Sequence, residues 1–338
     1  MSSSDTAASR WKSLARLALL LAGAALLVWI VVTVGWPAIR ANLAAIGAWF
    51  PALVLLYAVA QAAFALAWWE VIEPRPPAAF LPQLFAVYLA GDTVNYLVPT
   101  SVAGEPLKAH LLRDVIDLPR GIASLTVHKH ADMLAQFLFV ASGLAVALTL
   151  YDIPRAVAWA AAGTVAALGF FFVVLSWALW NGTFSPLLRK LAGISFLEDR
   201  LAPYHGAAER LDQRIRDFYA RHRGRFVASV VWSLVGWCGG FVETWIVLRL
   251  LGGRADAATA FVIETLAMVL NAIFIWMPGR LGTAEGVRVG VFLLLGLPAA
   301  PGAAYSLVRR AREVLWAVPG ALVLATRGRQ TAARPEAA

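Results

Sequence analysis

Four acid–base pairs stand out in an otherwise apolar sequence because each is spaced at one helical turn. Glu105 precedes Lys108, Glu285 precedes Arg288, Lys129 precedes Asp132 and Arg310 precedes Glu313, all at i, i+3. Residues three apart share a helix face, so each pair can close on itself. Both glutamates that lead a pair follow a Pro/Gly-rich break: Pro99-Thr-Ser-Val-Ala-Gly-Glu-Pro106 and Pro278-Gly-Arg-Leu-Gly-Thr-Ala-Glu-Gly286. A helix restarting at such a break presents free N–H groups and partial positive charge, which suit a phosphate. Lys108 or Arg288 one turn in adds a full charge, and arginine can grip phosphate with two parallel hydrogen bonds. The plainer reading is that each Glu caps its helix and pairs with its own base. For Lys129/Asp132 and Arg310/Glu313 the plainer reading is an ion pair that fixes helix register. The alternative is that these two face the breaks and complete a polar cavity.

Further polar residues flank the breaks. Asp92, Asn95 and Asn271 can line the cavity or satisfy backbone groups freed beside the prolines, and Arg280 lies inside the second break. Pro99, Gly104, Pro278, Gly279 and Gly282 are the candidate hinges. His128 and His130 lie two apart, on different helix faces, whereas zinc on a helix prefers i, i+4. No metal site and no cofactor are expected. Nucleophile elbow, P-loop, His-Glu-x-x-His and dinucleotide fingerprints are all absent, so no catalytic residue is assigned.

The elements that must position these charges follow from composition. Of 338 residues, 60% are hydrophobic and only 14% charged. A soluble domain carries about 45–50% apolar and about 25% charged residues, so this is an all-α polytopic membrane protein. The net charge of +9 reports membrane topology rather than nucleic acid, for which no partner role is expected. The single cysteine, Cys238, excludes a disulfide framework, and the many tryptophans suit interfacial belts.

Six runs are expected to span: Leu17–Ile39, Ala41–Trp69, Ala123–Leu150, Ala156–Trp180, Phe226–Leu251 and Ala303–Ala325. Two less regular segments, Phe80–Pro99 and Ala257–Pro278, are each followed by a short helical piece, Glu105–Val115 and Glu285–Leu297. Asn181–Arg225 holds nine basic residues, and both termini are basic too. Basic loops mark the cytoplasmic side. Parity then requires both irregular segments to dip in and return, giving six full spans and two re-entrant hairpins.

The chain also repeats itself at a separation of about 180 residues. Pro99 matches Pro278, Asp92 matches Asn271, Glu105/Lys108 matches Glu285/Arg288, and Gly121–Leu134 aligns with Gly302–Leu315. With the hairpins entering from opposite sides, the repeats have inverted topology, an arrangement of secondary transporters with sites between broken helices. The organisation expected is a cytoplasmic arm (1–16), one membrane domain (17–325) and a cytoplasmic tail (326–338). Within the domain lie repeat one (about 41–150), the basic loop (181–225) and repeat two (about 226–325). In that loop, Leu211, Ile215 and Phe218 among arginines read as an amphipathic helix on anionic lipid, or as a solvated connector.

Gly91-Asp-Thr-Val-Asn-Tyr-Leu-Val-Pro99, Ala103-Gly-Glu-Pro-Leu-Lys108, Lys129-x-x-Asp132 and Pro278-Gly-Arg-Leu-Gly-Thr-Ala-Glu285 together resemble the flippase-like membrane domain of the lysylphosphatidylglycerol synthase family. The resemblance covers roughly Leu17 to Ala325. It also extends to stand-alone members of that family, some of which accompany hopanoid synthesis. Family members with an aminoacyltransferase carry it as a further C-terminal soluble domain; the sequence to Ala338 holds none, so that chemistry is not expected. The family commonly has an acid followed by Arg where this chain has His128-Lys129. The resemblance implies a flippase that moves a phospholipid or other polar-headed lipid in a bacterial cytoplasmic membrane. The competing readings are a non-transporting membrane partner that presents lipid to a biosynthetic enzyme, and an intramembrane transferase.

Overall fold

The apolar runs become helices in the computed structural model, which describes residues 28–29, 31–98, 103–182, 184–192, 205–252, 256–274 and 281–332. In chain order the helices are α1 (Trp36–Gly47), α2 (Phe50–Val71), α3 (Leu81–Leu97), α4 (Gly104–Leu111), α5 (Leu118–Leu150) and α6 (Arg155–Asn181). They continue with α7 (Phe184–Ala192), α8 (His205–Arg221), α9 (Arg223–Leu250), α10 (Ala257–Ile273), α11 (Thr283–Leu294) and α12 (Ala299–Ala332). A 3-10 turn, Ala78–Phe80, leads into α3, and no strand occurs among the described residues.

Helices α2, α5, α6 and α9 are long and apolar enough to cross a membrane. Helix α12 has the length but carries Arg309, Arg310, Arg312 and Glu313 in its middle. On α6, Trp159, Phe170, Trp177 and Trp180 are all exposed. A helix apolar all round with one flank on its neighbours is suited to lipid.

The first two expected spans divide differently from the sequence reading. Leu17–Ile39 lies largely outside the described residues, and its described part is interrupted at Gly35, where φ is +91°. Ala41–Trp69 is not continuous either, because it breaks at Ala48–Trp49 between α1 and α2. Pro37 and Pro51 sit in the first turns of α1 and α2. Proline is tolerated there and would clash inside a continuous helix, so each proline restarts the chain.

Two helical hairpins fill the places of the irregular segments. Helices of 8 and 12 residues, α4 and α11, reach only about 12 and 18 Å at about 1.5 Å per residue, short of a hydrocarbon core of about 30 Å. The α3–α4 unit starts and ends at one end of the bundle, since Arg120 at the start of α5 donates to the Pro74 carbonyl before α3. The α10–α11 unit starts and ends at the other, where Leu251, Leu295 and Leu297 share an apolar cluster with Tyr151 at the far end of α5.

Glycines set the closest helix contacts. A Cβ at Gly104 would lie 2.0 Å from the Gly91 carbonyl oxygen, so the two arms of the first hairpin touch backbone to backbone. Gly320 of α12 receives Thr93 of α3, and Gly143 of α5 receives Thr265 of α10; a Cβ at either glycine would lie within 2.0 Å of the threonine hydroxyl. Each hairpin thus packs on the long helix of the opposite half, while α2 and α9 form the most extensive contact between halves. In α8, Ile215 and Phe218 are buried in the protein cluster that holds Val71, Leu112 and Ile116. The apolar stripe expected to meet lipid instead meets the bundle, because the ends of α2 and α5 leave an apolar surface there.

Candidate functional site

Most of the charges singled out in the sequence converge where the hairpins meet the long helices. Lys129 and Arg310 hold matching positions, each about 17 Å from the start of its helix at about 1.5 Å per residue.

In the first half the pairs close within their own helices. Lys108 Nζ donates to Glu105 Oε1 at 2.9 Å, and its cation stands 4.0 Å from the Tyr88 ring centre. Lys108 is 2% exposed, its stem laid across Gly91, where a Cβ would collide with it. Asn95 ties the hairpin together: its Nδ2 donates to Glu105 Oε1 (3.0 Å), and its Oδ1 accepts from Gly104 N (2.7 Å). Asn95 therefore satisfies a backbone donor freed at the start of α4. Asp92 accepts from Gln61 of α2 at 2.7 Å. Lys129 donates to Asp132 at 3.0 Å, and Trp237 of α9 donates to the other carboxylate oxygen at 3.1 Å. The Lys129 side chain is 51% exposed, so this pair is the open member of the set.

In the second half the pairs cross between helices. Glu285 is paired with Arg310 of α12 at 2.7 Å, not with Arg288. Arg310 also donates to the Tyr96 hydroxyl of α3 at 2.7 Å and lies 3.5 Å from Glu313. The expected Glu285/Arg288 pair is thus corrected, since Arg310 reaches across from the facing helix and takes the carboxylate. Arg288 is buried, closes no direct ion pair among the described residues and has a buried Nε without a partner, with Glu313 and Glu264 within longer electrostatic reach. Asn271 is buried with an unpartnered Oδ1. Gly282, φ +74°, opens α11 in a backbone conformation that favours glycine. Pro99, Pro278, Gly279 and Arg280 lie outside the described residues.

Several members of the network were not among the sequence candidates. Arg309 donates to Glu264 (2.7 Å) and Tyr305 (2.9 Å), and Thr244 bridges Glu264 and Tyr305. Arg312 donates to Glu243 at 2.7 Å, with both side chains almost fully enclosed, and its guanidinium lies 4.0 Å from the Tyr57 ring centre. Tyr57 accepts from the Gln61 amide that also holds Asp92. A continuous polar path therefore runs from Asp92 to Glu243 through both halves. Glu243 had a visible signal, as the lone acid in the apolar run Phe226–Leu251; Arg309 and Arg312 had only their adjacency to Arg310.

The dipeptides Asp92-Thr93 and Glu264-Thr265 play parallel parts, each threonine seated against a glycine of the opposite half. Each acid is held by its own half's first long helix, Gln61 of α2 or Thr244 of α9. In packing, Glu264 resembles Asp92 in having a threonine next to it that seats on a glycine of a facing long helix.

His130 is satisfied on both nitrogens, by Tyr219 (2.6 Å) and Ser176 (2.7 Å), and His128 is buried beside Tyr88. Among the described residues no three His, Cys, Asp or Glu are grouped to hold a metal. Chemically, the layer offers neutralised carboxylates, tyrosine hydroxyls and one buried guanidinium without a direct ion pair: a set suited to binding an anion.

Comparison with known proteins places these observations. A family model described as the lysylphosphatidylglycerol synthase TM region matches residues 14–320. A protein of Methanothermobacter thermautotrophicus described as a UPF0104 membrane protein is 24% identical over 278 residues, covering 76% of each chain. No solved structure matches the chain.

Proposed function

The chain belongs to the lysylphosphatidylglycerol synthase TM region family, and from that premise we propose that it is a lipid transporter that passes a polar headgroup between leaflets. The two hairpins are re-entrant, entering from opposite membrane faces as the meeting parts of inverted repeats. Both termini and the basic 181–225 loop face the cytoplasm.

The observation that carries this reading is Arg288. An unpaired charge at the bilayer centre costs about 2.5–3.5 kcal/mol on insertion scales, so an intramembrane residue that bears it is expected to serve function. Arg288 is buried and closes no direct ion pair among the described residues, with Glu313 and Glu264 only within longer electrostatic reach, while Arg309, Arg310 and Arg312 of α12 are each paired directly. A lipid phosphate supplies the close anion that neither carboxylate provides. Acyl chains remain in the surrounding bilayer while the headgroup crosses beside Asp92, Asn95, Glu105, Lys108, Lys129 and Asp132 from the first half and Asn271, Glu285, Arg310 and Glu313 from the second. Arg280 at the second break joins them. The hinges are Pro99, Gly104, Pro278, Gly279 and Gly282, whose breaks let each hairpin yield without unwinding the long helices. Irregular backbone at this depth is tolerated where protein or a wet cavity surrounds it.

Reconstitution in liposomes with fluorescent phospholipids tests the proposal. The expected result is leaflet exchange above that of empty vesicles for at least one anionic or polar-headed class. No exchange with any class overturns transport and favours a membrane partner that presents lipid to a biosynthetic enzyme.

A further inference from the structure

A second polar cavity lies outside the charged layer, at the end of the bundle where α2 stops, α5 begins and α8 crosses over them. Its volume is about 190 Å³. Its floor is apolar, from Ala123, Val127 and Phe218, and its rim carries Arg120, Arg214 and Arg221.

Of the two carboxylates at this cavity, Glu73 is engaged by cations, whereas Asp217 is held only by a neutral amide and keeps its charge, so three lining arginines face two acids. Glu73 accepts from Arg225 and stands 3.2 Å from His222, while Asp217 accepts from Gln213 at 2.9 Å. Arg225 is further committed to the carbonyls of Glu70 and Ile72, at 2.7 Å each, where it closes the end of α2. The rim arginines are much less committed. Arg120 donates to the Pro74 carbonyl, and its buried Nε has no partner. Arg214 reaches Asp117 only at 3.4 Å, and Arg221 has no ion pair among the described residues. The cavity therefore holds surplus positive charge over an apolar floor, with guanidinium forks from two different helices.

We propose that this cavity is a binding site for a phosphate ester, with the phosphate on Arg120, Arg214 and Arg221 and a small apolar or glycerol portion over Ala123 and Phe218. Guanidinium forks suit phosphate oxygens through paired charge-assisted hydrogen bonds. The apolar floor distinguishes the site from a bare anion hole. The same chemistry is carried by an anionic lipid headgroup at the membrane surface and by a soluble phosphate ester. The proposal is independent of transport through the charged layer, because it concerns other residues and is read by binding.

The test uses the full chain in phosphatidylcholine nanodiscs, with dihexanoyl phosphatidylglycerol, glycerol 3-phosphate and inorganic phosphate titrated by calorimetry. At least one phosphate ester should bind more tightly than inorganic phosphate. Retention by the lipid alone identifies a headgroup site, and equal binding of glycerol 3-phosphate identifies a soluble ligand. The double variant R120Q/R221Q should weaken binding by about tenfold or more, the scale of losing one charge-assisted hydrogen bond. A123L, which narrows the floor and leaves every charge in place, should weaken the esters more than inorganic phosphate. R155Q/R249Q, exposed at the other end of the bundle, should change affinity by less than about twofold, a diffuse screened effect. Absence of binding by every probe overturns the proposal. So does an R155Q/R249Q loss equal to that of R120Q/R221Q, or unchanged ester binding in A123L, which answers even where the double variant does not fold.

Discussion

The two halves carry matching charges and spend them differently. In the first, Glu105 takes the lysine one turn away and Lys129 takes the aspartate one turn away, so each helix is electrostatically self-contained. In the second, Glu243, Glu264 and Glu285 each bind an arginine of α12, and Arg288 closes no direct ion pair among the described residues. Self-contained pairs let a hairpin shift without breaking ion pairs. Cross-helix pairs fasten the second hairpin to its long helix and to Tyr96 of the first. The contrast is one of charge pairing: the first hairpin is held to its neighbours by hydrogen bonds to Tyr96 and Asp92, and the second by ion pairs.

The strongest way to break this contrast is at the most enclosed cross-helix pair. Arg312→Gln strands the Glu243 carboxylate, which is 0% exposed, and should cost about 3–5 kcal/mol, as loss of one partner in a buried pair does. Thermal unfolding in detergent should show the loss. Close packing comes next. Gly143→Val and Gly320→Val each drive a side chain into a threonine of the opposite half and should cost about 1–3 kcal/mol by overpacking. Similar losses at the two glycines support equivalent hairpin docking, and a loss at only one breaks the equivalence.

Double-mutant cycles sharpen the comparison further. Glu285–Arg310 should couple more strongly than Lys129–Asp132, whose exposed lysine limits that pair to about 1 kcal/mol or less. Glu105→Gln and Glu285→Gln should both reduce exchange while leaving the protein folded. Equal loss of folded protein in both would return the two glutamates to helix capping and packing. Smallest of all is the Asp256 cap, which accepts from Thr259 N at 2.8 Å. Those hydrogen bonds hold its carboxyl below the usual range. The contribution is therefore present above the ordinary carboxylate pKa and is lost as pH falls through the lowered one. Asp256→Ala should cost about 1 kcal/mol at neutral pH.

Much of this was legible in the residues. The helix–break–helix units were visible because Pro and Gly punctuate them, and the i, i+3 pairs because helical spacing is a local property. What stayed hidden was partner choice across helices. Spacing shows that Glu285 can meet Arg288, but not that Arg310 approaches from the facing helix and wins. Counting back from the prolines matched Asp92 to Asn271, whereas in packing it resembles Glu264, since the threonine that follows each acid seats on a glycine. The apolar stripe of α8 was visible too, yet periodicity does not distinguish a lipid surface from the ends of α2 and α5.

Arg288 joins the contrast to function most directly. Arg288 closes no direct ion pair, so its removal forfeits only longer-range attraction to Glu313 and Glu264 and relieves a desolvation penalty. Arg288→Gln should therefore lower the melting temperature much less than Arg312→Gln. In liposomes the same variant should lose leaflet exchange by about tenfold or more, the scale of a charge-assisted hydrogen bond to phosphate. Wild-type exchange in Arg288→Gln would contradict a headgroup site at the second hairpin.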